Sequence, residues 1–359
     1  QLAGIYRDAG RLDEAISLFE QNLEDRTRTL GLDHPETLAS RHSLASTYRD
    51  TGRLDEAIPL FEQNLTDFIR ILGPDRPDTF TSRSTLAGAY QAAGRLDEAI
   101  RLFEQNLEDR TRTLGPVHPV TLTSRGNLAG AYREAGRLDE AIRLFEQNLE
   151  DSIRILGPRD PRTLTSRDNL AGAYREAGRL DEAIRLFEQN LDDFARLAGP
   201  DHLDTLTSRG NLANAYQAAG RLDQAISLFE RNLTDFIRVL GTDHPETLAW
   251  RDKLAGAYQA AGRLNEAISL FERNLTDFIR VLGSHHPETL ASRGNLAGAY
   301  QAAGRLDRAI PLLQQNLEDR TRILGPDHRD TLASRNNLAG AYQAAGRIDQ
   351  AIPLLQQTL

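Results

Sequence analysis

Apolar residues recur along this chain in one fixed pattern. The leucine of a Leu-Ala-x-x-Tyr motif falls at Leu2, Leu44, Leu86, Leu128, Leu170, Leu212, Leu254, Leu296 and Leu338, always 42 residues apart, with no insertion or deletion. A Gly-Arg pair follows each time, from Gly10-Arg11 to Gly346-Arg347. A period in this range means stacked supersecondary units, each burying its apolar face on its neighbours. The period predicts one elongated solenoid over residues 1–359, with repeats beginning near 33, 75, 117, 159, 201, 243, 285 and 327.

Residues 117–158 represent the unit. His118-Pro119 opens a helix, because proline's missing N–H has no intrahelical partner at the first position. Leu122, Leu128, Ala129 and Tyr132 follow at near-helical spacing, and Gly136 ends the helix by accepting a left-handed conformation. Asp139 is then the expected N-cap of a second helix. That helix carries Leu138, Ala141, Ile142, Phe145, Leu149, Ile153 and Leu156 as an apolar stripe, and Gly157-Pro158 stops it. Pro59, Pro311 and Pro353 are expected in the first turns of their second helices, where proline is tolerated. The chain should be all-α, with 18 helical segments, the first and last truncated.

These residues resemble a known family. Leu128-Ala129-x-x-Tyr132, Gly136, Ala141 and Phe145 are similar to the tetratricopeptide repeat (TPR) signature at its own spacing. The 42-residue period and the loop Leu240-Gly-Thr-Asp-His-Pro245 resemble the longer subclass of kinesin light chains, and the arrays that follow signalling ATPase modules in many bacterial proteins. The resemblance implies a right-handed superhelix of about 8.5 helical hairpins. Asn64, Asn106, Asn148 and their equivalents depart from it, standing where the family has a small alanine.

Composition narrows the chemistry. Without cysteine there is no disulfide framework, thiolate metal site or cysteine nucleophile. No apolar run approaches the ~18 residues of a membrane span. A net charge of −9 with interleaved signs argues against nucleic acid as a partner, and Lys253 is the only lysine. The absence of methionine points to a piece of a longer polypeptide. The expected setting is cytoplasmic, without membrane contact.

The repeated polar residues form rows. His34, His118, His202, His244, His286 and His328 recur at one loop position; metal ligands must converge, so the expectation is no metal and helix-start histidines, four of the six beside proline. Arg41, Arg83, Arg125 and their equivalents, with a second arginine row from Arg28 to Arg322 and aspartates from Asp25 to Asp319, read as an ion-pair ladder between repeats. No catalytic constellation, phosphate loop or cofactor motif stands out, so the chain reads as a non-enzyme.

What varies is the face that the resemblance assigns to a concave groove. Asn127, Asn169, Asn211, Asn295 and Asn337 directly precede the Leu-Ala pair, Asn214 follows it, and an asparagine amide can clamp a peptide backbone by donating and accepting at once. Arg133 and Arg175, each followed by an acid, give way to Gln217 and Gln259 further along. Gly130 and Gly172 sit mid-helix, at about 1 kcal/mol each against alanine. They read equally as a floor for an extended chain, as relief where helices crowd, or as inheritance by duplication. Trp250 replaces a serine found in the other repeats, read as local repacking rather than a ligand anchor; Phe68, Phe194, Phe236 and Phe278 read as core extension toward the next repeat, with a docking patch as the minority reading. The resemblance implies a scaffold that binds a peptide or protein segment in the groove. The alternative is a sensor or autoinhibitory arm of a larger signalling ATPase or protease.

Overall fold

The computed structural model describes residues 2–357. They form eighteen α-helices, with no strand among the described residues. First helices of 16 residues, such as Pro119–Glu134, alternate with second helices of 19, such as Leu138–Leu156, between the short terminal helices Leu2–Asp8 and Ile348–Gln356. The helices group into two compact units, Gln1–Gly178 and Arg179–Leu359. Within each, every helix packs on its sequence neighbours, giving an all-α solenoid.

Local chemistry sets the helix ends. The His118 imidazole accepts a hydrogen bond from the Val120 N–H at 3.3 Å; His34, His202, His244, His286 and His328 do the same, and Asp160 substitutes its carboxylate. The histidine row is thus a set of N-caps. At the hairpin turn Gly136 takes a φ of 73°, which lets the Arg137 N–H reach back to the Tyr132 carbonyl at 2.8 Å. The second helix therefore starts at Leu138, earlier than Asp139 suggested. Asp139 lies in the first turn, and the N-cap position is Arg137, which makes no side-chain cap. For the same reason Pro59, Pro311 and Pro353 lie beyond the first turn, inside helices that begin at Leu54, Leu306 and Ile348. The carbonyl that Pro59 leaves without a donor belongs to exposed Asp55, where water can satisfy it. Buried threonines tie down the loops between repeats: Thr79, Thr205 and Thr289 donate to the carbonyls of Gly73, Gly199 and Gly283 at 2.7–2.8 Å.

Six hairpins close over a buried arginine paired with an aspartate 26 residues on, at Arg41, Arg83, Arg125, Arg209, Arg251 and Arg293, while in the last hairpin Arg335 donates to the Gln357 carbonyl instead. Arg251 donates to the Asp277 carboxylate at 2.6 Å, to the Asn274 carbonyl oxygen at 3.3 Å and to the loop carbonyl of Thr242 at 3.4 Å. The Asn274 amide donates to the Leu248 carbonyl at 2.9 Å. Asp277 also accepts from exposed Arg280, which pairs with Asp243 at 2.6 Å. All of these residues belong to one repeat. The expected inter-repeat ladder is therefore an intra-repeat clasp joining first helix, second helix and loop. At Asn64 and Asn274 the asparagine that replaces the family's alanine joins that clasp, bonding the arginine and a first-helix carbonyl, whereas buried Asn232 bonds neither.

Contacts between repeats are mainly apolar. One core cluster draws Ala255, Ile268, Phe271, Leu296 and Tyr300 from successive hairpins, each large side chain contributing roughly 1.5–3 kcal/mol. Tyrosine hydroxyls add a polar seam: Tyr216 donates to Glu188 at 2.7 Å and Tyr258 to Glu230 at 2.6 Å, each in the preceding repeat. Burial, followed by these glutamate bonds, pushes both phenols up to about 12.

The clasp yields two predictions. Arg251→Met removes the buried partner of Asp277, which is 18% exposed and keeps Arg280, and should cost about 1.5–3 kcal/mol in chemical denaturation, whereas Arg280→Met, at a side chain 53% exposed, should leave the midpoint nearly unchanged. Burial opposes the charge on Asp67, Asp151, Asp235 and Asp277, yet arginine hydrogen bonds outweigh it and hold these carboxyls below their ordinary pKa. The unfolded chain then binds more protons once the pH nears the usual value of about 3.9. Stability from these groups should be intact above about pH 4 and fall as the pH drops through their folded values; a denaturation series from pH 6 to 2 checks this.

Candidate functional site

The first helices carry every residue of the sequence-predicted groove. In the first unit the structure brings Asn127 and Asn169 to one cavity of about 310 Å³, between Pro119–Glu134 and Pro161–Glu176 and floored by Asn148 and Ser152. Gly126 and Arg162 complete its wall. Among the described residues neither Asn127 nor Asn169 makes a side-chain hydrogen bond, so both amides can turn to a ligand. A second cavity of the same unit, about 520 Å³, opens over Phe68, Ile71 and Leu72, with Leu38, His42 and Ser82 around it. Sequence reading gave Phe68 as core extension, with a docking patch as the minority reading; a serine opposite does not by itself mark the cavity, since Phe278 faces Ser292 at the same register and is fully buried.

The other groove candidates lie elsewhere. Gly130, Gly172, Arg133 and Arg175 sit further along the same helices, outside the 310 Å³ cavity. Arg133 approaches Glu176 of the next repeat at 3.7 Å, and its guanidinium lies 3.6 Å from where a Gly172 Cβ would stand. Asn211, Asn214, Gln217, Gln259, Asn295 and Asn337 belong to the second unit. Asn295 is committed: its amide donates to Asp252 at 3.1 Å. Burial pushes the Asp252 carboxyl up, against the hydrogen bonds from Asn274, Asn295 and Ser292. No group of three or more His, Cys, Asp or Glu among the described residues could hold a metal, and no helix is long and apolar enough to cross a membrane.

The sequence profile described as Tetratricopeptide repeat matches residues 1–66, 42–105, 78–150, 127–192, 162–234, 204–275, 249–315 and 292–359. The chain belongs to the tetratricopeptide repeat family. Among solved structures it is similar to a protein from Podosopora anserina named as a kinesin light chain of nearly identical TPR-like repeats, at 36% identity, covering 57% of this chain and 97% of that one, with a TM-score of 0.52. Two more distant structures share the fold at 15% identity. The apo quorum sensor NprR from B. thuringiensis matches over 99% of this chain and 98% of its own, with a TM-score of 0.60. A signal-transduction ATPase with a tetratricopeptide repeat sensor from Pyrococcus horikoshii matches over 96% of this chain and 52% of its own, with a TM-score of 0.54. No curated protein matches this chain in sequence.

Two departures from the repeat now have physical accounts. A Cβ added at Gly88, Gly130, Gly256, Gly298 or Gly340 would meet nothing within 4 Å, so these tetratricopeptide helices are not crowded there, and the reading of glycine as steric relief fails. Gly210 is different: its missing Cβ is replaced by the ring of Trp250, whose atoms come within 1.8 Å of that point. Trp250 is buried, stacks on Phe236 with ring centroids 5.6 Å apart and 22° between planes, and carries the Lys253 ammonium 4.7 Å above it. It repacks the interface, as expected, and Phe236 and Phe278 are fully buried core. Phe68 is only half-buried.

The same substitution should therefore act with opposite signs. Gly130→Ala should raise stability by about 0.5–1 kcal/mol, while Gly210→Ala forces the Trp250 ring aside and should cost about 1–3 kcal/mol. Denaturation midpoints of the two variants check the pair.

Proposed function

We propose that this tetratricopeptide array is an interaction scaffold that takes a peptide or protein segment along its first-helix face. The observation that carries the reading is the cavity between successive first helices with two uncommitted amides, Asn127 and Asn169, on its rim. An amide that donates and accepts at once satisfies a peptide unit whatever its side chain. Gly130, with open space above it, lets an extended chain approach the helix backbone. Asn211, Asn214, Asn295, Asn337, Gln217 and Gln259 continue the polar face in the second unit, with Asn295 held by Asp252. Among the described residues the caps and clasps recur in rows, a pattern that suits a binding surface, and the proposed setting is the cytoplasm. A second reading, a sensor arm of a larger signalling ATPase, draws on the array fold shared with the Pyrococcus protein.

A peptide library displayed on phage and selected on the whole chain supplies the ligand for a test. Asn127→Ala and Asn169→Ala together should leave the melting transition nearly unchanged, because neither amide holds a protein partner. Affinity for the selected peptides should fall by about 0.5–1.5 kcal/mol per lost hydrogen bond, read by calorimetric titration. Unchanged affinity with an intact fold would move the site off this face.

A further inference from the structure

The open cavity at Phe68 has a filled counterpart in the other unit. Four periods along the sequence, His42, Phe68 and Ser82 correspond to Gly210, Phe236 and Trp250. There the Trp250 indole lies on Phe236 and over Gly210, and Phe236 is completely buried. In the first unit Ser82 supplies only a hydroxyl, Phe68 stays half-buried, and about 520 Å³ is left open. His42 does not plug the space: its ring turns edge-on to Phe61, centroids 5.6 Å apart, and lines the wall. The chain itself thus displays what fits such a site, a planar aromatic side chain stacked on the phenylalanine.

We propose that the Phe68 cavity seats an aromatic side chain of the bound segment, one adjacent to a lysine or arginine. This rests on the scaffold reading above and names the chemistry of its ligand. The basic neighbour follows from two observations. The internal copy carries a cation on its ring, Lys253 over Trp250, whereas the residue corresponding to Lys253 beside the open cavity is Thr85. The rim of the open cavity also presents the exposed carboxylate of Asp78, which makes no hydrogen bond or ion pair among the described residues. A ligand that brings its own base supplies the missing cation and meets that carboxylate. Stacking on Phe68 and removal of apolar surface from water supply the attraction.

The probe is acetyl-Lys-(5-fluoro-Trp)-Gly-amide, followed by fluorine NMR on the whole chain, with peptides carrying Glu for Lys, or unlabelled Ala for Trp as competitor, as controls. The Lys-Trp probe should bind saturably at one seat, and the alanine peptide should compete at least about tenfold more weakly. The double variant His42→Gly/Ser82→Trp, which builds the internal plug into the first unit, should abolish binding. Phe68→Ser, using the residue the chain carries at Ser152, should weaken it about tenfold. Trp250→Ser should open the second seat and raise the stoichiometry from one to two. Circular dichroism confirms that each variant is folded, and Phe68→Ser decides the matter where the double variant is not. Equal binding of the alanine peptide, or binding unchanged in folded Phe68→Ser, overturns the proposal. Library peptides that depend on Asn127 and Asn169 but carry no aromatic residue would overturn it while leaving the scaffold standing. A library that yields no peptide, beside a probe that saturates at Phe68, would instead overturn the scaffold reading alone.

Discussion

A guanidinium buried between the two helices of a hairpin, repeated in six of them, constrains much of the rest of this chain. Arg251 is 2% exposed, and a charge taken out of water that far must be neutralised and have its donors satisfied. Asp277 does the first; Asn274 and the Thr242 carbonyl help with the second. Since those partners lie on the second helix and on the loop before the first, the pair fixes helix register and loop position together. One residue inserted between Arg251 and Asp277 would turn the second helix by about 100° and carry the carboxylate away. The unvarying period is a consequence of electrostatics as much as of apolar packing.

That constraint separates where the sequence can vary from where it cannot. Residues of the clasp, the threonine loop ties and the alanine contacts recur in nearly every unit. Freedom is left at the remaining positions of the first helices, and small exchanges there have large local effects. Gly126 leaves room beside Asn148; Asp252, at the same register, fills that room and captures Asn295. Ser82 leaves Phe68 half-covered, and Trp250 closes the equivalent space. One fold thus presents polar, apolar and closed sites within a few repeats of one another.

Much of this was legible in the sequence, for reasons that can be named. Helix number and length followed from the period and from glycines whose positive φ no other residue adopts cheaply. The histidine row was read correctly as helix-start residues, because a residue that recurs just before each first helix serves a need that every helix start has. The ionic clasp was misread as an inter-repeat ladder because, in a perfect repeat, a partner 26 residues ahead and one 16 residues behind are equally spaced candidates, and only packing chooses. Asp139 misled because a good capping residue stood one place past a turn that was already complete. At the site, the asparagine row was visible, but which amides were free was not: Asn169 and Asn295 look alike until the residue one repeat earlier, Gly126 or Asp252, is set beside each. The link between Trp250 and Gly210 spans 40 residues, and each looked like an isolated oddity.

Trp250 also gives the molecule an optical asymmetry. It is the sole tryptophan among nine tyrosines and twelve phenylalanines, so emission excited at the red edge of the absorption band comes from one place in the second unit. The near-parallel Phe236 ring and the Lys253 ammonium hold that indole in a shielded setting, and water enters only when the surrounding hairpins part. Helical ellipticity sums over all the repeats. The interval between the two signals on heating is therefore a direct measure of how far each hairpin melts on its own account, obtained from the chain without any added label.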